Sequence, residues 1–216
     1  MKNQKKEFKE LLAEYSFLND SVFSTVVPES EWKKKKAAEE FLAKYWISDT
    51  EYRGGWEPIQ NTIFINPEKG LPELRFSKKF EMLALRGGIL FVEKDFLQLQ
   101  TCMKRIGEKY FVVIENSFGD KNKPIFRMKF PVDITWQELM SGGFISIAIV
   151  GYDMNEYFVL GESGSWGKYA ANDYIHPLDI IGFKKEYSEL FRAVFKVSLE
   201  EQAEIAKWIP PGYLDR

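Results

Sequence analysis

Six short segments rich in β-branched and aromatic residues, separated by turn residues, constrain the fold of this chain more than any other feature. Segments of this kind with short connections favour a mainly antiparallel sheet. The third segment alternates apolar and basic side chains, the pattern of a strand with one solvent-facing side. The segments are 89–96, 109–116, 124–131, 144–150, 156–160 and 168–172.

Helical patterns lie at both ends of the chain. Apolar residues recur with helical spacing in 8–15, and Ser30 is a suitable N-cap for a second helix ending near Trp46. Towards the C-terminus, 185–195 is helical, and Ser198 opens a capping box before another helix. The sequence therefore predicts one α+β domain over 1–216, a mainly antiparallel sheet flanked by N- and C-terminal helices, with 1–50 as a helical extension packed on it.

Residues 52–88 have a mixed character. The segment 52–58 contains a Gly-Gly pair and is predicted to be a loop, and 61–66 is predicted to be a short strand. The stretch 70–88 begins with Gly-Leu-Pro, has apolar residues spaced for one helix face, and ends in Gly-Gly. These features predict a helix. A further capping box at Thr135 predicts one helical turn inside the sheet region.

Charge and composition exclude several classes of function. The formal net charge is −2, and the four lysines 33–36 are followed by Glu39 and Glu40 on the same predicted helix. No field that would recruit nucleic acid is therefore expected. The longest apolar run, 144–150, is too short to span a bilayer, and the charged first ten residues lack a secretory pattern. With Cys102 as the single cysteine, a cytoplasmic protein is expected.

The stretch 161–173, GESGSWGKYAAND, could be a nucleophile elbow, a phosphate cradle or the turn of a β-hairpin. Neither Ser163 nor Ser165 completes the G-x-S-x-G pattern of an elbow. A P-loop requires Ser or Thr after Gly167-Lys168, where this chain has Tyr169. The sequence thus predicts a hairpin with strands 157–161 and 166–172.

Catalytic and metal-binding signatures are weak throughout. Cys102 and His176 are the only residues of their types and could form a thiol–imidazole dyad, but a buried, inert thiol is the default for such a cysteine. One Cys and one His are also too few for an ordinary zinc site. Asp120, Asp153 and Asp173 are in turn contexts and are interpreted as turn acceptors. We therefore expect no cofactor, no metal and no catalytic residues.

Aromatic residues beside loops are candidates for partner binding. The chain has six Trp, ten Tyr and eighteen Phe, more than the core evidently requires. Trp and Tyr at such positions are common in protein-binding hot spots. Trp166 is predicted to project from the rim of the hairpin rather than to fill the core. The predicted partner-binding residues are Trp56, Glu162, Trp166 and Asp173.

Three parts of the chain resemble the SUKH immunity superfamily. Residues 70–88 are similar to its Leu-Pro segment, short helix and Gly-Gly exit, 157–173 to its strand, Gly-rich turn and strand, and 179–195 to its closing helix after a short strand. The resemblance implies an α+β domain that binds and neutralises a cognate toxin, or another protein-interaction module, without catalysis. The matching positions are Leu71, Pro72, Gly87, Gly88, Gly161 and Gly164.

Two functions from different classes follow. The first is a non-enzymatic binding protein, most concretely an antitoxin-like immunity protein that blocks a toxin partner. The second is a small-molecule-binding protein or hydrolase that uses the turn 161–167 with Glu162, Asp173 and Asp179, because paired carboxylates can divide acid and base roles. A concave pocket holding two of these carboxylates would favour the second function.

Overall fold

The centre of the fold is a six-stranded antiparallel sheet with the strand order β3-β8-β7-β6-β4-β5. A separate two-stranded ribbon pairs β1 with β2. The computed structural model describes residues 29–87, 90–119, 126–142, 156–171, 178–209 and 213. The strands are β1 Phe64–Ile65, β2 Arg75–Phe76, β3 Phe80–Arg86, β4 Tyr110–Glu115, β5 Arg127–Pro131, β6 Tyr157–Gly161, β7 Trp166–Ala171 and β8 Leu178–Lys184.

Helices cover the sheet and confirm the predicted α+β class. Two 3₁₀ turns, Met140–Gly142 and Lys185–Tyr187, and one π-helical turn, Tyr52–Trp56, accompany them. The helices are α1 Glu29–Tyr45, α2 Asp49–Glu51, α3 Glu57–Ile63, α4 Glu93–Ile106, α5 Trp136–Leu139, α6 Ser188–Val194 and α7 Leu199–Ile205.

Both faces of the sheet are buried. The first face packs against α1, α4 and α6, and the second against the 52–63 helical segment, the β1–β2 ribbon and α7. Residues 111–114 of β4 and 157–160 of β6 alternate between the two clusters, so each of these positions is apolar and buried. This two-sided burial explains why these strands appear in the sequence as continuous apolar runs.

Local sequence signals account for several element ends. The side chains of Thr135 and Ser198 accept hydrogen bonds from the backbone N–H groups of Glu138 and Glu201, so both residues are N-caps at the helix starts where capping boxes were predicted. Helix α4 ends at Gly107, which has φ of 88°, a left-handed conformation that glycine adopts without strain. The strands predicted in 109–116, 124–131, 156–160 and 168–172 are also present as β4 to β7.

The predicted helix in 70–88 is wrong. Residues 75–76 and 80–86 are strands, and β3 forms an edge of the main sheet by pairing with β8 over its whole length. Leu83 and Leu85 face the first side, while Phe80 faces the second, so apolar residues fall on both sides. Because β3 is buried on both sides, its apolar residues fall at i, i+3 and i+4. This is also the spacing of a helix face, and the helix prediction depended on it.

Two further predictions of secondary structure are corrected. The segment 89–96 was expected to be a strand, but α4 begins at Glu93, with its buried residues Phe96, Leu99, Cys102 and Met103 at helical spacing. The segment 52–58 was expected to be a loop, but it is helical, because Ser48 caps α2 and the following turns continue into α3. The strand predicted in 61–66 is reduced to β1.

Part of the predicted N-terminal extension is described. Helix α1 contributes Phe41, Leu42 and Tyr45 to the cluster on the first face of the sheet, so it packs on the domain as expected. Lys36 pairs with Glu40 one helical turn later, in line with the predicted neutralisation of the lysine run. The helix predicted in 8–15 and the strand predicted in 144–150 lie outside the described residues.

Candidate functional site

The Gly-rich stretch is the turn of a β-hairpin, as predicted. Strands β6 and β7 pair antiparallel, and the N–H of Gly164 donates to the carbonyl of Gly161 inside the turn. The buried carboxylate of Glu108, in the loop after α4, accepts hydrogen bonds from the backbone N–H and the hydroxyl of Ser163. Ser163 therefore helps to fix the turn to the loop after α4.

The prediction that Trp166 projects from the rim is wrong. Its side chain is 0 % exposed and lies in the core on the first face of the sheet, and its indole Nε1 donates to Glu108 at 3.0 Å. The Glu108 carboxylate, which also bonds the glycine-rich turn, is the acceptor that a buried indole N–H requires. Trp166 is a structural residue and is not available to a partner in this conformation.

The other predicted partner-binding residues do not come together with Trp166. Trp56 is also buried, but it belongs to the cluster on the second face of the sheet. Glu162 is exposed in the turn, where its carboxylate accepts the N–H of Lys109 at 2.9 Å. Asp173 lies outside the described residues. Of the three described residues of this set, only Glu162 is placed where a partner could reach it.

Glu162 and Asp179, two of the three carboxylates of the alternative function, do not converge. Glu162 precedes Trp166, which pairs with Phe183 at one end of β8, whereas Asp179 lies near the other end, opposite Ala170. Asp179 is 2 % exposed and forms an ion pair with Lys168. A small groove with a volume of about 60 Å³ lies between α4, the end of β3 and residues 195–201. Neither Glu162 nor Asp179 lines it.

Cys102 is a buried thiol in α4. Burial raises its pKa to about 12, so the thiolate needed for nucleophilic attack is scarce at neutral pH. His176, the other half of the considered dyad, lies outside the described residues. Among the described residues, no group of three His, Cys, Asp or Glu side chains could hold a metal ion.

Phe118 is the most exposed of the large hydrophobic residues in the described parts of the chain. Its side chain is 56 % exposed, and its backbone has φ of 50°, in the left-handed region. A bulky residue is rarely found there, because this conformation costs roughly 1–2 kcal/mol. Such strain persists only where the surroundings impose it, and it is concentrated at functional sites.

The conformation at Phe118 is imposed by Asn116. The Asn116 side chain is buried, and its Oδ1 accepts the N–H of Phe118 at 2.9 Å. Its Nδ2 donates to the carbonyl of Lys69 at 2.8 Å and to the hydroxyl of Tyr169 at 3.3 Å. Because both ends of the amide are bonded, the loop after β4 is fastened to the turn that precedes β2.

A second set of contacts also holds the loop after β4 in place. The backbone N–H of Asn116 donates to the carbonyl of Glu156, whose carboxylate accepts the Tyr169 hydroxyl. The Phe118 ring lies against Gly70, where an added Cβ would be 3.1 Å from the ring. We call Phe118 and the residues that fix it, Asn116, Tyr169, Glu156 and Gly70, the Phe118 platform.

Sequence reasoning missed the Phe118 platform. The segment 109–116 was recognised as a strand, but the Asn-Ser-Phe-Gly sequence after it received no interpretation. An Asn followed two residues later by an aromatic residue and then Gly119, which also has positive φ, is a recognisable local signal for an Asn-stabilised turn. No pattern in the neighbouring sequence predicts that the Phe118 ring is exposed.

Comparison of the chain with protein-family models, with curated proteins and with solved structures finds no match. Across the described ranges, no helix is both long enough and apolar enough to cross a membrane. The fold and the site define an α+β protein in which a hydrogen-bonded platform holds the Phe118 side chain exposed to solvent.

Proposed function

We propose that this chain is a non-enzymatic protein-binding module, and that the Phe118 platform is its contact point for the partner. The observation that carries the proposal is an exposed Phe held at φ of 50° by a buried Asn. A core-filling role does not account for a strained aromatic residue that leaves more than half of its surface in water. A role as an anchor that inserts into a pocket of another protein accounts for both the strain and the exposure.

The energetics of association favour such an anchor. Burying a Phe side chain contributes about 1.5–3 kcal/mol. Ordering a flexible loop on binding costs affinity, and a loop already fixed by hydrogen bonds avoids much of this cost. Asn116, with its amide bonded at both ends, supplies that order before the partner arrives.

The kind of partner we propose is a toxin whose action this chain neutralises. The support is the resemblance of its hairpin and closing segments to immunity proteins. An immunity protein needs a rigid surface that covers the partner, with charged residues at the rim that accelerate association. Glu68, Lys69 and Glu73 are exposed charged residues close to the platform in the chain and supply such a rim.

The test begins with the toxin-like reading frame beside the gene, or with a partner recovered from the host by the tagged wild-type chain. The purified partner is titrated against three forms: wild type, Phe118→Ala and Leu97→Ala. Leu97 is the matched control, because it is 45 % exposed but lies on α4, away from the platform.

We expect Phe118→Ala to weaken binding about 30-fold or more, which corresponds to about 2 kcal/mol, and Leu97→Ala to bind like the wild type. Equal affinities of the wild type and Phe118→Ala would refute the platform as the contact point. Failure of the partner to lose its toxicity when bound would refute the immunity role while leaving the binding role intact.

A further inference from the structure

A buried ion pair joins two neighbouring strands of the main sheet. Nζ of Lys168 on β7 lies 2.7 Å from Oδ2 of Asp179 on β8, and the side chains are 3 % and 2 % exposed. The register places Lys168 opposite Ile181, so Asp179 is its diagonal neighbour on the same face. Replacing a buried pair of this kind by apolar residues is often neutral or stabilising, so stability alone does not explain it.

The surroundings hold the two groups in contact. Nζ of Lys168 also donates to the carbonyl of Leu90, and it lies 5.2 Å from the centre of the Phe91 ring. The Asp179 carboxyl packs against the backbone of Gly87, where a side chain would overlap it. These contacts exclude water and leave the two side chains facing each other.

One oxygen of the carboxyl has no hydrogen bond. Among the described residues, Oδ1 of Asp179 is fully buried without a partner. An unpaired buried oxygen is far less costly on a neutral carbonyl than on a carboxylate. The pKa of Asp179 is raised to about 6, because burial, with a smaller contribution from the charge of Asp95 on α4, raises it more than the charge and hydrogen bond of Lys168 lower it. The environment thus shifts the carboxyl towards its neutral form, which is well populated near pH 6.

We propose that Lys168 and Asp179 condense to form an intramolecular isopeptide bond. A proton passes from the Lys168 ammonium to the Asp179 carboxylate along their hydrogen bond, which leaves a neutral amine and a carboxylic acid. The amine nitrogen adds to Cγ, the C–OH bond breaks, and the hydroxyl leaves with a second amine proton as water. An Nζ–Cγ amide remains, and no oxidant, reductant or other reactant is consumed.

The described contacts suit both the reaction and its product. A nitrogen that touches a carboxylate oxygen is about 3–3.5 Å from the carboxyl carbon, the separation of a near-attack arrangement. The amide carries no charge, so it removes the unfavourable burial of two ions. It keeps one N–H, which the Leu90 carbonyl is placed to accept, and its single oxygen occupies a site without donors among the described residues.

Intact mass spectrometry of the denatured full-length chain tests the bond. After incubation at pH 6, the wild type should be lighter than its sequence by the mass of one water molecule. Lys168→Arg, which preserves the charge but lacks the amine, should have its full sequence mass. Because water loss can also occur at other residues, a tryptic digest should contain a branched peptide joining the two segments, with no cleavage after Lys168.

A full-mass wild type after prolonged incubation, or a water loss without the branched peptide, would overturn the proposal. This conclusion does not depend on whether Lys168→Arg folds, because the wild-type mass alone decides it. Asp95→Asn should slow the formation of the bond, because the charge of Asp95 favours the neutral carboxyl. An unchanged rate in Asp95→Asn would overturn the part assigned to that residue.

Discussion

The indole Nε1 of Trp166 donates a hydrogen bond of 3.0 Å to the carboxylate of Glu108. The same buried carboxylate accepts the backbone N–H of Ser163 at 3.0 Å. Glu108 lies directly after the helix that covers the first face of the sheet, and Trp166 opens the second strand of the hairpin. One carboxylate therefore joins the helical layer, the glycine turn and the core.

Replacing Glu108 should test this connection. We expect Glu108→Ala to lower the free energy of unfolding by about 1–3 kcal/mol, because it leaves the buried indole N–H of Trp166 without an acceptor. The neighbouring exposed residue gives the control: Lys109→Ala should change stability by no more than about 0.5 kcal/mol. Urea denaturation measures both, and equal midpoints for the two variants would contradict the assignment.

The hairpin could be predicted from the sequence, but the position of its Trp could not. Gly164 in the turn has φ of 60°, a local backbone requirement that a sequence reports directly. The burial of Trp166 depends on Glu108, which is remote in the chain and becomes a neighbour only after the sheet and α4 have packed. The serines on either side of Trp166 suggested a solvent-exposed side chain. The ring is nevertheless buried, and its hydrogen-bond partner is the remote Glu108 carboxylate.

The exchanged helix and strand assignments have a common physical origin. Hydrophobic periodicity distinguishes a strand from a helix when one face of the element is exposed to solvent. In this chain both faces of the sheet are covered. Strand β3 has apolar residues on both sides, so its pattern matched a helix. The N-caps at Thr135 and Ser198 were predicted correctly, because a cap involves only residues three apart.

The Phe118 platform shows the same division between local and tertiary signals. The turn itself follows from Asn116 and Gly119, which are close in sequence. The contacts of Asn116 with Lys69 and Tyr169, which make the turn rigid, connect parts of the chain that only the fold brings together. The exposure of an aromatic residue is likewise a property of the folded surface.

Glycine at position 118 should separate backbone strain from binding. Phe118→Gly removes the penalty of a side chain at φ of 50°, so we expect the free energy of unfolding to rise by about 1 kcal/mol. Affinity for the partner should fall in the same variant. Ser117→Gly is the control, since Ser117 has no positive φ, and it should lower stability by about 0.5 kcal/mol. A destabilised Phe118→Gly would show that the ring supports the fold.

Two glycines should respond in opposite directions to alanine. A Cβ at Gly182 in β8 would overlap the Phe76 ring, so Gly182→Ala should lower the free energy of unfolding by about 1–3 kcal/mol. Gly55 lies in the helical segment 52–63 with open space around it, so Gly55→Ala should raise it by about 0.5–1 kcal/mol. Thermal melts would contradict this assignment if both variants shifted in the same direction.

Cys102 should be chemically silent in the folded protein. Its pKa of about 12 and its buried position mean that alkylation at pH 8 requires unfolding of the chain. We expect the native protein to react with iodoacetamide only at the rate of unfolding, and the denatured chain to take up one equivalent. Native labelling as fast as that of a free cysteine peptide would show that α4 opens readily.

Arg127 and Asp49 should make stability depend on acid pH. The guanidinium of Arg127 is 6 % exposed, lies near the rings of Trp46 and Tyr52, and bonds Oδ1 of Asp49 at 2.8 Å. Partial burial acts to raise the pKa of Asp49, but hydrogen bonds and charge from Arg127 and Arg53 outweigh it, and the pKa is lowered below its ordinary value of 3.8. A lowered pKa stabilises the fold above that value, and this stabilisation is lost as the pH falls through the folded-state pKa.

Asp49→Asn should therefore be less stable than the wild type at pH 7, by about 1–3 kcal/mol, because the buried guanidinium loses its charged acceptor. The difference should shrink as the pH falls from about 4, the pKa of Asp49 in the unfolded chain, towards its lower folded-state pKa, because the unfolded chain binds the proton first. Glu51→Gln is the control, since its partner Lys129 is one-third exposed, and it should differ from the wild type by less than about 1 kcal/mol. Urea midpoints between pH 3 and 7 measure these differences. A constant gap between Asp49→Asn and the wild type over this range would show that the Asp49 charge is not what holds Arg127.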